Sequence, residues 1–218
     1  MSWFWKSKKS PARSDLTAKL ADEDVRGAVE GYRRFRQQFA ADRAFYQDLA
    51  RQQKPNLLWI GCSDSRVVPD TITGSGPGSL FVVRNIANIV PPSGAGDGSV
   101  GAAIEYAVLH LGVDDIVICG HTGCGGVKAM QDGVPPSEAH LHRWVKFGAI
   151  PPGLSLADAV EVNILAQRDN LLTYAVVRER LASASLNIHE WLYDMEHGDI
   201  LAYDGESESW RNLGETVG

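Results

Sequence analysis

Hydrophobic positions in this chain recur first at helical spacing and later in short continuous runs. Over residues 22–53 the apolar side chains fall mostly three or four positions apart, which predicts an amphipathic helix. Asp22 or Asp24 can cap its start. Pro55 ends it, because proline disfavours helical geometry in the residue before it. The spacing therefore predicts one long helix near the start of the chain.

Beyond this helix the pattern becomes that of buried strands. Apolar runs at 57–60, 80–83 and 116–119 are each typical of a strand that is covered on both faces. Helical spacing returns at 99–111, between the second and third runs. A strand, a helix and another strand in this order predict a parallel sheet with the helix packed against it.

The remaining patterns complete the predicted fold. Residues 154–184 predict one or two further helices, and 188–193 with 200–203 predict a final pair of strands around Gly198. The fold class is therefore α/β, a single domain with a mainly parallel central sheet flanked by helices.

We place the domain at residues 22–204, between an N-terminal tail of 1–21 and a C-terminal tail of 205–218. In the first tail Trp3-Phe4-Trp5 precedes the basic residues, which is unlike an export signal. No apolar run approaches the ~20 residues of a transmembrane helix, and we expect no membrane partner. The tail is interpreted as a solvated arm. Docking on a partner subunit and contact with an anionic membrane are the alternatives.

Charge and cysteine content limit the classes of function. The chain has 21 basic and 27 acidic residues, a net charge of −6, which argues against a nucleic-acid-binding surface. Its three cysteines, Cys62, Cys119 and Cys124, are too few for a disulfide framework and favour a reducing compartment. We therefore expect a cytoplasmic location. Cys119 lies inside an apolar run and is predicted to be a buried, inert thiol.

Side chains that can bind a metal follow the predicted strands. Cys62 comes after the first strand, and His121 and Cys124 come after the third. Ligands bind at the carboxyl ends of parallel strands, so we expect these three residues to converge. Zinc prefers cysteine and histidine, and three protein ligands with one open position are typical of a catalytic zinc. A fourth protein ligand would instead make a closed, structural site.

Asp64 decides between these two kinds of zinc site. It lies two residues after Cys62 and two residues before Arg66. A bidentate pair with Arg66 would hold the carboxylate ionised and off the metal, which leaves the fourth position to water. A carboxylate turned onto the zinc would close the site. The spacing therefore allows a two-state switch.

Four stretches of the sequence together resemble the β-class carbonic anhydrases. They are LWIGCSDSR at 58–66, FVVRNIAN at 81–88, GAAIEYAVLHLG at 101–112 and ICGHTGCGG at 118–126. The resemblance covers roughly residues 22–204. Several separate motifs in the same order make chance similarity an insufficient explanation.

The resemblance implies reversible hydration of CO₂ to bicarbonate and a proton, with one zinc ion per subunit held by Cys62, His121 and Cys124. Zinc lowers the pKa of its bound water towards ~7, and the hydroxide attacks CO₂. Ionised Asp64, held by Arg66, orients that hydroxide and is the fourth zinc ligand in a closed state. The implied substrate-pocket positions are Gln53, Val67, Phe81 and Tyr106.

The resemblance also implies regulation. A bicarbonate-regulated subclass, type II, carries an allosteric site at positions matching Trp59, Arg84 and Tyr193. In that subclass bicarbonate favours the state with Asp64 on the metal. The stretches beginning at Phe81 and Gly101 are also close to the permanently open subclass, so both readings stand.

Relatives in this family associate through N-terminal helices that wrap a neighbouring subunit, which implies a dimer or a tetramer. Three alternative functions remain open. One is a carbonyl sulfide or carbon disulfide hydrolase on the same scaffold. Another is a low-turnover bicarbonate sensor, against which the intact Asp64–Arg66 pair argues. The last is a cysteine-nucleophile enzyme that uses Cys62 and His121.

Overall fold

The computed structural model describes residues 23–96 and 98–216. It divides the chain into two compact units, residues 1–52 and 53–218. The predicted arm of 1–21 lies outside the described residues. None of the described helices is long and apolar enough to cross a membrane.

The first unit contains two helices where the apolar spacing predicted one helix over 22–53. They are α1 (Glu23–Ala41) and α2 (Arg43–Leu49). Asp42 causes the break, because its side chain accepts a hydrogen bond from the backbone N–H of Phe45 (3.4 Å) and so caps a new helix.

Six strands form one sheet in the second unit, in the order β2-β1-β3-β4-β5-β6. The pairs among the first four strands are parallel, and the last two pairs are antiparallel. The predicted α/β fold with a mainly parallel sheet is therefore confirmed. The strands are β1 (Leu57–Cys62), β2 (Leu80–Asn85), β3 (Asp115–His121), β4 (Asn187–Tyr193), β5 (Ile200–Asp204) and β6 (Ser209–Asn212).

Strand β6 lies inside the segment 205–218, for which we expected a tail beyond the domain. It pairs with β5, and Trp210 packs against Tyr203 with ring centroids 5.4 Å apart. A strand of four residues carries too short an alternation to be recognised from the sequence, although its tryptophan marks an apolar contact.

The helices of this unit connect and flank the strands. The helix predicted at 99–111 is observed as α4 followed by a π-helical segment, Tyr106–Leu111. The apolar stretch 154–184 forms α7 and α8. The helices are α3 (Pro69–Thr73), α4 (Gly98–Glu105), α5 (Gly125–Asp132), α6 (Ala139–Trp144), α7 (Leu156–Leu171), α8 (Ala175–Ala182) and α9 (Leu213–Thr216).

Alternate residues of the central strands belong to two separate apolar clusters, because successive side chains of a strand point to opposite faces. On one face, Ile60 and Ile118 join the main core with Ile164 of α7. On the other face, Trp59 and Cys119 form a second cluster with Val117. Cys119 is fully buried, as predicted, and burial raises the pKa of its thiol.

Gly120 lets α7 approach the end of β3 closely. A Cβ at this position would lie 2.7 Å from the side chain of Ile164, which is closer than real Cβ contacts. The glycine therefore allows the main core to continue up to His121, the last residue of β3.

Candidate metal centre

Two neighbouring parallel strands and one tight loop bring the three predicted ligands together. Strand β1 ends at Cys62 and strand β3 ends at His121, and these strands are adjacent. Gly123 has a φ of +64°, a left-handed conformation that turns the loop so that Cys124 comes back to the same place. The ligand atoms of the three buried residues all lie within 4.8 Å of one another.

The arrangement fits a zinc ion. The Sγ atoms of Cys62 and Cys124 are 3.9 Å apart. Two thiolates bound tetrahedrally at ~2.3 Å would be about 3.8 Å apart. His121 Nδ1 contacts the backbone oxygen of Thr122 (3.0 Å), which orients the ring. Its Nε2 is buried and has no hydrogen-bond partner among the described residues, as expected of a nitrogen that binds a metal.

The protein environment favours the thiolate form, the form that binds metals, at Cys62. The contact with the Cys124 sulfur lowers the pKa of Cys62, and hydrogen bonds from the backbone N–H groups of Asp64 and Ala87 lower it further. The same sulfur pair raises the pKa of Cys124. The two sulfurs therefore interact strongly, and a metal ion bound by both would displace their protons.

A strained backbone segment supplies one of these hydrogen bonds to Cys62. Ala87 has a φ of +62°, which is uncommon for a residue with a side chain. Asn163 of α7 donates a hydrogen bond to the Ala87 carbonyl (3.0 Å) and accepts one from Gln167 Nε2 (3.0 Å). Gln167 Oε1 accepts from the N–H of Val90 (2.8 Å). This buried amide network, which the sequence reasoning missed, holds the strained segment beside Cys62.

Asp64 lies next to the three ligands but is bound to Arg66. Its Oδ1 accepts from Arg66 Nε (2.9 Å) and from the Arg66 backbone N–H (3.0 Å), and its Oδ2 accepts from Nη2 (2.7 Å). These bonds lower the pKa of Asp64, so the carboxylate stays ionised. Asp64 Oδ2 is 3.8 Å from His121 Nε2. The predicted bidentate pair is thus present at the edge of the site.

The structure shows contacts for three of the four predicted substrate-pocket residues. The backbone N–H of Val67, which is fully buried, donates to the carbonyl of Asp64 (3.0 Å). Phe81 of β2 and Tyr106 of the π-helical segment lie with ring centroids 5.9 Å apart. Gln53 is exposed in the segment before β1. The structure brings Phe81 and Tyr106 together and places Val67 against Asp64.

The three residues of the predicted bicarbonate site lie around the second apolar cluster. Trp59 is fully buried, and its Nε1 has no hydrogen-bond partner among the described residues. This nitrogen lies over Gly61, where a Cβ would approach it to 2.5 Å. Gly61 is the register partner of Arg84 on β2, and Tyr193 of β4 packs against the cluster. Arg84 donates to the carbonyls of Cys62 (2.8 Å) and Asp64 (2.5 Å).

Comparison with known proteins finds similarity along most of the chain. The sequence model of the family described as "Carbonic anhydrase" matches residues 57–200. The carbonic anhydrase of Pseudomonas aeruginosa is 40% identical over 204 residues, which cover 88% of this chain and 93% of that protein.

Solved structures show the same similarity in three dimensions. The β-carbonic anhydrase CcaA superimposes with a TM-score of 0.81 at 36% identity, covering 87% of this chain and 100% of that one. One of two tetrameric β-carbonic anhydrases from Sordaria macrospora superimposes with a TM-score of 0.65 at 32% identity, covering 92% of this chain and 98% of that one.

Proposed function

The chain belongs to the β-class carbonic anhydrase family, and we propose that it catalyses the reversible hydration of CO₂ to bicarbonate and a proton. We propose one zinc ion per subunit, held by Cys62, His121 and Cys124. The observation that carries this proposal is the buried group of two sulfurs and one unpaired histidine nitrogen within 4.8 Å of one another.

Zinc, when bound, supplies a Lewis acid that makes water nucleophilic near neutral pH. The residues of the chain then orient the reactants. Asp64, kept ionised by Arg66, accepts a hydrogen bond from the attacking water and directs its lone pair towards CO₂. Phe81 and Val67 keep water away from the small apolar substrate, and Tyr106 packs on Phe81. Gln53 donates a hydrogen bond to a substrate oxygen.

The decisive experiment is stopped-flow CO₂ hydration by the zinc-loaded protein from about pH 6.5 to about pH 9. Turnover that depends on bound zinc supports the proposal. Absence of turnover at every pH, with zinc bound, contradicts it. In that case turnover of carbonyl sulfide or carbon disulfide would instead assign a hydrolase on this scaffold.

The Asp64–Arg66 pair is proposed to act as a gate. In the arrangement described here both oxygens of Asp64 are held by Arg66, so the carboxylate would stay off a metal bound by Cys62, His121 and Cys124. In the alternative arrangement the carboxylate rotates onto the metal and closes the site. The 3.8 Å between Asp64 Oδ2 and His121 Nε2 supports this, because a short rotation would bring the oxygen to the ligand group.

Substitution of Arg66 tests the gate. Arg66→Gln removes the charge and both side-chain bonds, so activity should fall by roughly 100-fold. Arg66→Lys keeps the charge but loses the bidentate geometry and should fall by roughly tenfold. Lys128→Gln, which breaks the exposed Lys128–Asp132 pair, is the control and should leave turnover unchanged. Equal activity of all three variants would overturn the gating role.

We further propose that Trp59, Arg84 and Tyr193 bind a regulatory bicarbonate, as in the type II subclass. The buried and unpaired indole N–H of Trp59 supports this, because a buried donor without an acceptor is unfavourable unless something binds it. Trp59→Phe removes that donor and keeps the ring. Bicarbonate should then no longer inhibit at neutral pH. Unchanged inhibition of the variant would contradict a bicarbonate site at Trp59, and a parent protein that bicarbonate does not inhibit would belong to the permanently open subclass.

Self-association as a dimer or a tetramer is proposed on the basis of exposed apolar side chains. Tyr32 and Phe35 of α1 are exposed, as are Ile86, Tyr106 and Leu109 of the second unit. Exposed apolar residues in such number mark interaction surfaces. Light scattering coupled to size-exclusion chromatography measures the mass directly, and a monomer at micromolar concentration would contradict the proposal.

A further inference from the structure

A cavity of about 800 Å³ opens at the end of β2. Its walls come from three places: the end of β2 with Ile86, the turn from Ala95 to Gly96 with the start of α4, and α6 with the turn that follows it. Ser63, the neighbour of Cys62, also lines it. None of the metal-ligand residues or proposed substrate-pocket residues lines this cavity.

The ionisable side chains among the described lining residues are all basic. They are Arg84, His140 and Arg143, and no acidic side chain is among the described lining residues. This is unusual for a chain with a net charge of −6. Arg143 Nε donates to the carbonyl of Ala139 (3.1 Å), and Nη2 lies 3.4 Å from His140 Nδ1. The guanidinium is therefore fixed on α6 at the cavity wall.

The remaining wall of the cavity is apolar and partly aromatic. Trp144 and Phe147 pack edge to face with ring centroids 5.9 Å apart. The indole N–H of Trp144 donates to the carbonyl of Ile86 (2.9 Å), so this residue offers the cavity its ring and not a hydrogen-bond donor. A ligand that fills the cavity therefore needs an apolar body as well as a negative charge.

The volume of the cavity indicates a ligand larger than the proposed substrate. CO₂ and bicarbonate contain three and four heavy atoms, whereas cavities of roughly 300–1,000 Å³ accommodate organic molecules of drug size. Arginine recognises carboxylates by paired, parallel hydrogen bonds. We propose that this cavity binds an organic carboxylate with a flat apolar body, its carboxylate on Arg143 and His140 and its body along Trp144 and Phe147.

Arg84 connects this cavity to the metal centre. Arg84 lines the cavity, and its guanidinium donates to the carbonyls of Cys62 and Asp64. The negative charge of a carboxylate held on Arg143 and His140 would attract this cation, which braces the loop carrying Asp64. The consequence is that occupancy of the cavity changes turnover without contact with the metal.

The test is calorimetric titration of benzoate into the zinc-loaded full-length protein. Benzamide, which lacks the charge, and acetate, which lacks the ring, are the matched ligands and should each bind at least roughly tenfold more weakly. Arg143→Gln should weaken benzoate binding by roughly tenfold. Arg178→Gln is the control variant, because Arg178 is also exposed and also donates to a backbone carbonyl, that of Leu172 (2.7 Å). It should bind benzoate like the parent protein.

Two results would overturn the proposal. One is a parent protein that binds no benzoate at millimolar concentration. The other is equal benzoate affinity in Arg143→Gln and Arg178→Gln, which would place the carboxylate elsewhere, for example on the zinc. CO₂ hydration measured on the same samples reports separately on the proposed enzyme function, since an active enzyme with an empty cavity contradicts only the present inference.

Discussion

The two ends of β3 carry the same pair of residue types in opposite states. At the amino end, His189 Nε2 lies 2.8 Å from Oδ1 of Asp115, and both side chains are partly exposed. At the carboxyl end, His121 Nε2 lies 3.8 Å from Asp64 Oδ2, too far for a hydrogen bond, and is fully buried. His189 has a hydrogen-bond partner in Asp115, whereas Asp64 is bound to Arg66 and leaves His121 Nε2 without one.

This difference separates a structural pair from a binding site. A buried nitrogen without a partner is unfavourable by about 1–3 kcal/mol, so the protein must offset that penalty elsewhere. Such a nitrogen between two cysteine sulfurs is explained by a metal ion that binds all three. The comparison therefore predicts that substitutions at the carboxyl end affect metal and activity, and that substitutions at the amino end affect stability alone.

The largest expected effect comes from exchanging the two histidines for glutamine. His121→Gln removes a metal ligand, so zinc should be lost on dialysis and turnover should fall by more than about 100-fold. His189→Gln is the matched control and should retain one zinc per subunit and near-parental turnover. Metal analysis and stopped-flow CO₂ hydration measure both. Retention of zinc and activity by His121→Gln would remove the distinction between the two ends.

The same comparison shows what the sequence allows to be predicted. Strands β1 to β5, the parallel arrangement of the first three and the convergence of Cys62 with His121 follow from apolar runs and from residues placed at strand ends. These signals are local in the chain. The Asp64–Arg66 pair follows from a spacing of two residues, and the structure places its atoms within hydrogen-bond distance.

Features that depend on distant contacts could not be predicted. Alanine rarely adopts a positive φ, so the sequence gives no sign of the strained turn at Ala87. The turn depends on Asn163, which is 76 residues away in the chain and donates a hydrogen bond to the Ala87 carbonyl. The end of α1 was missed because Asp42 interrupts an apolar spacing that continues beyond it. The sequence sign of the buried amide network was an amide residue, Gln167, on the buried face of a helix, because buried amides need hydrogen-bond partners.

An intermediate effect is expected from that network. Asn163→Ala removes the donor to Ala87 and leaves the Gln167 amide without its acceptor, so the free energy of unfolding should fall by about 1–3 kcal/mol. The strained segment should also move, so that the backbone hydrogen bond from Ala87 to Cys62 is lost and zinc affinity falls. Arg168→Ala on the same helix loses hydrogen bonds to Asp169 (3.1 and 3.0 Å), which lie outside this network, and should leave zinc affinity unchanged. Denaturant unfolding and competition with a zinc chelator measure the two quantities. Equal zinc affinity in both variants would contradict the role given to the network.

The smallest effect is expected at the amino end, and it depends on pH. The hydrogen bond from His189 lowers the pKa of Asp115 below its unfolded value, so this aspartate stabilises the fold above the unfolded pKa. Asp115→Asn keeps an oxygen acceptor and removes the charge. Because solvent screens these half-exposed side chains, the variant should lose only about 0.5 kcal/mol at neutral pH. The difference should vanish as the pH falls from about 4 through the lowered pKa of Asp115, where the parent protein takes up its proton.

Denaturant unfolding at several pH values measures this difference in stability. A difference that stays constant into acid would mean that Asp115 acts through hydrogen-bond geometry and not through its charge, and zinc binding should be unaffected in either case.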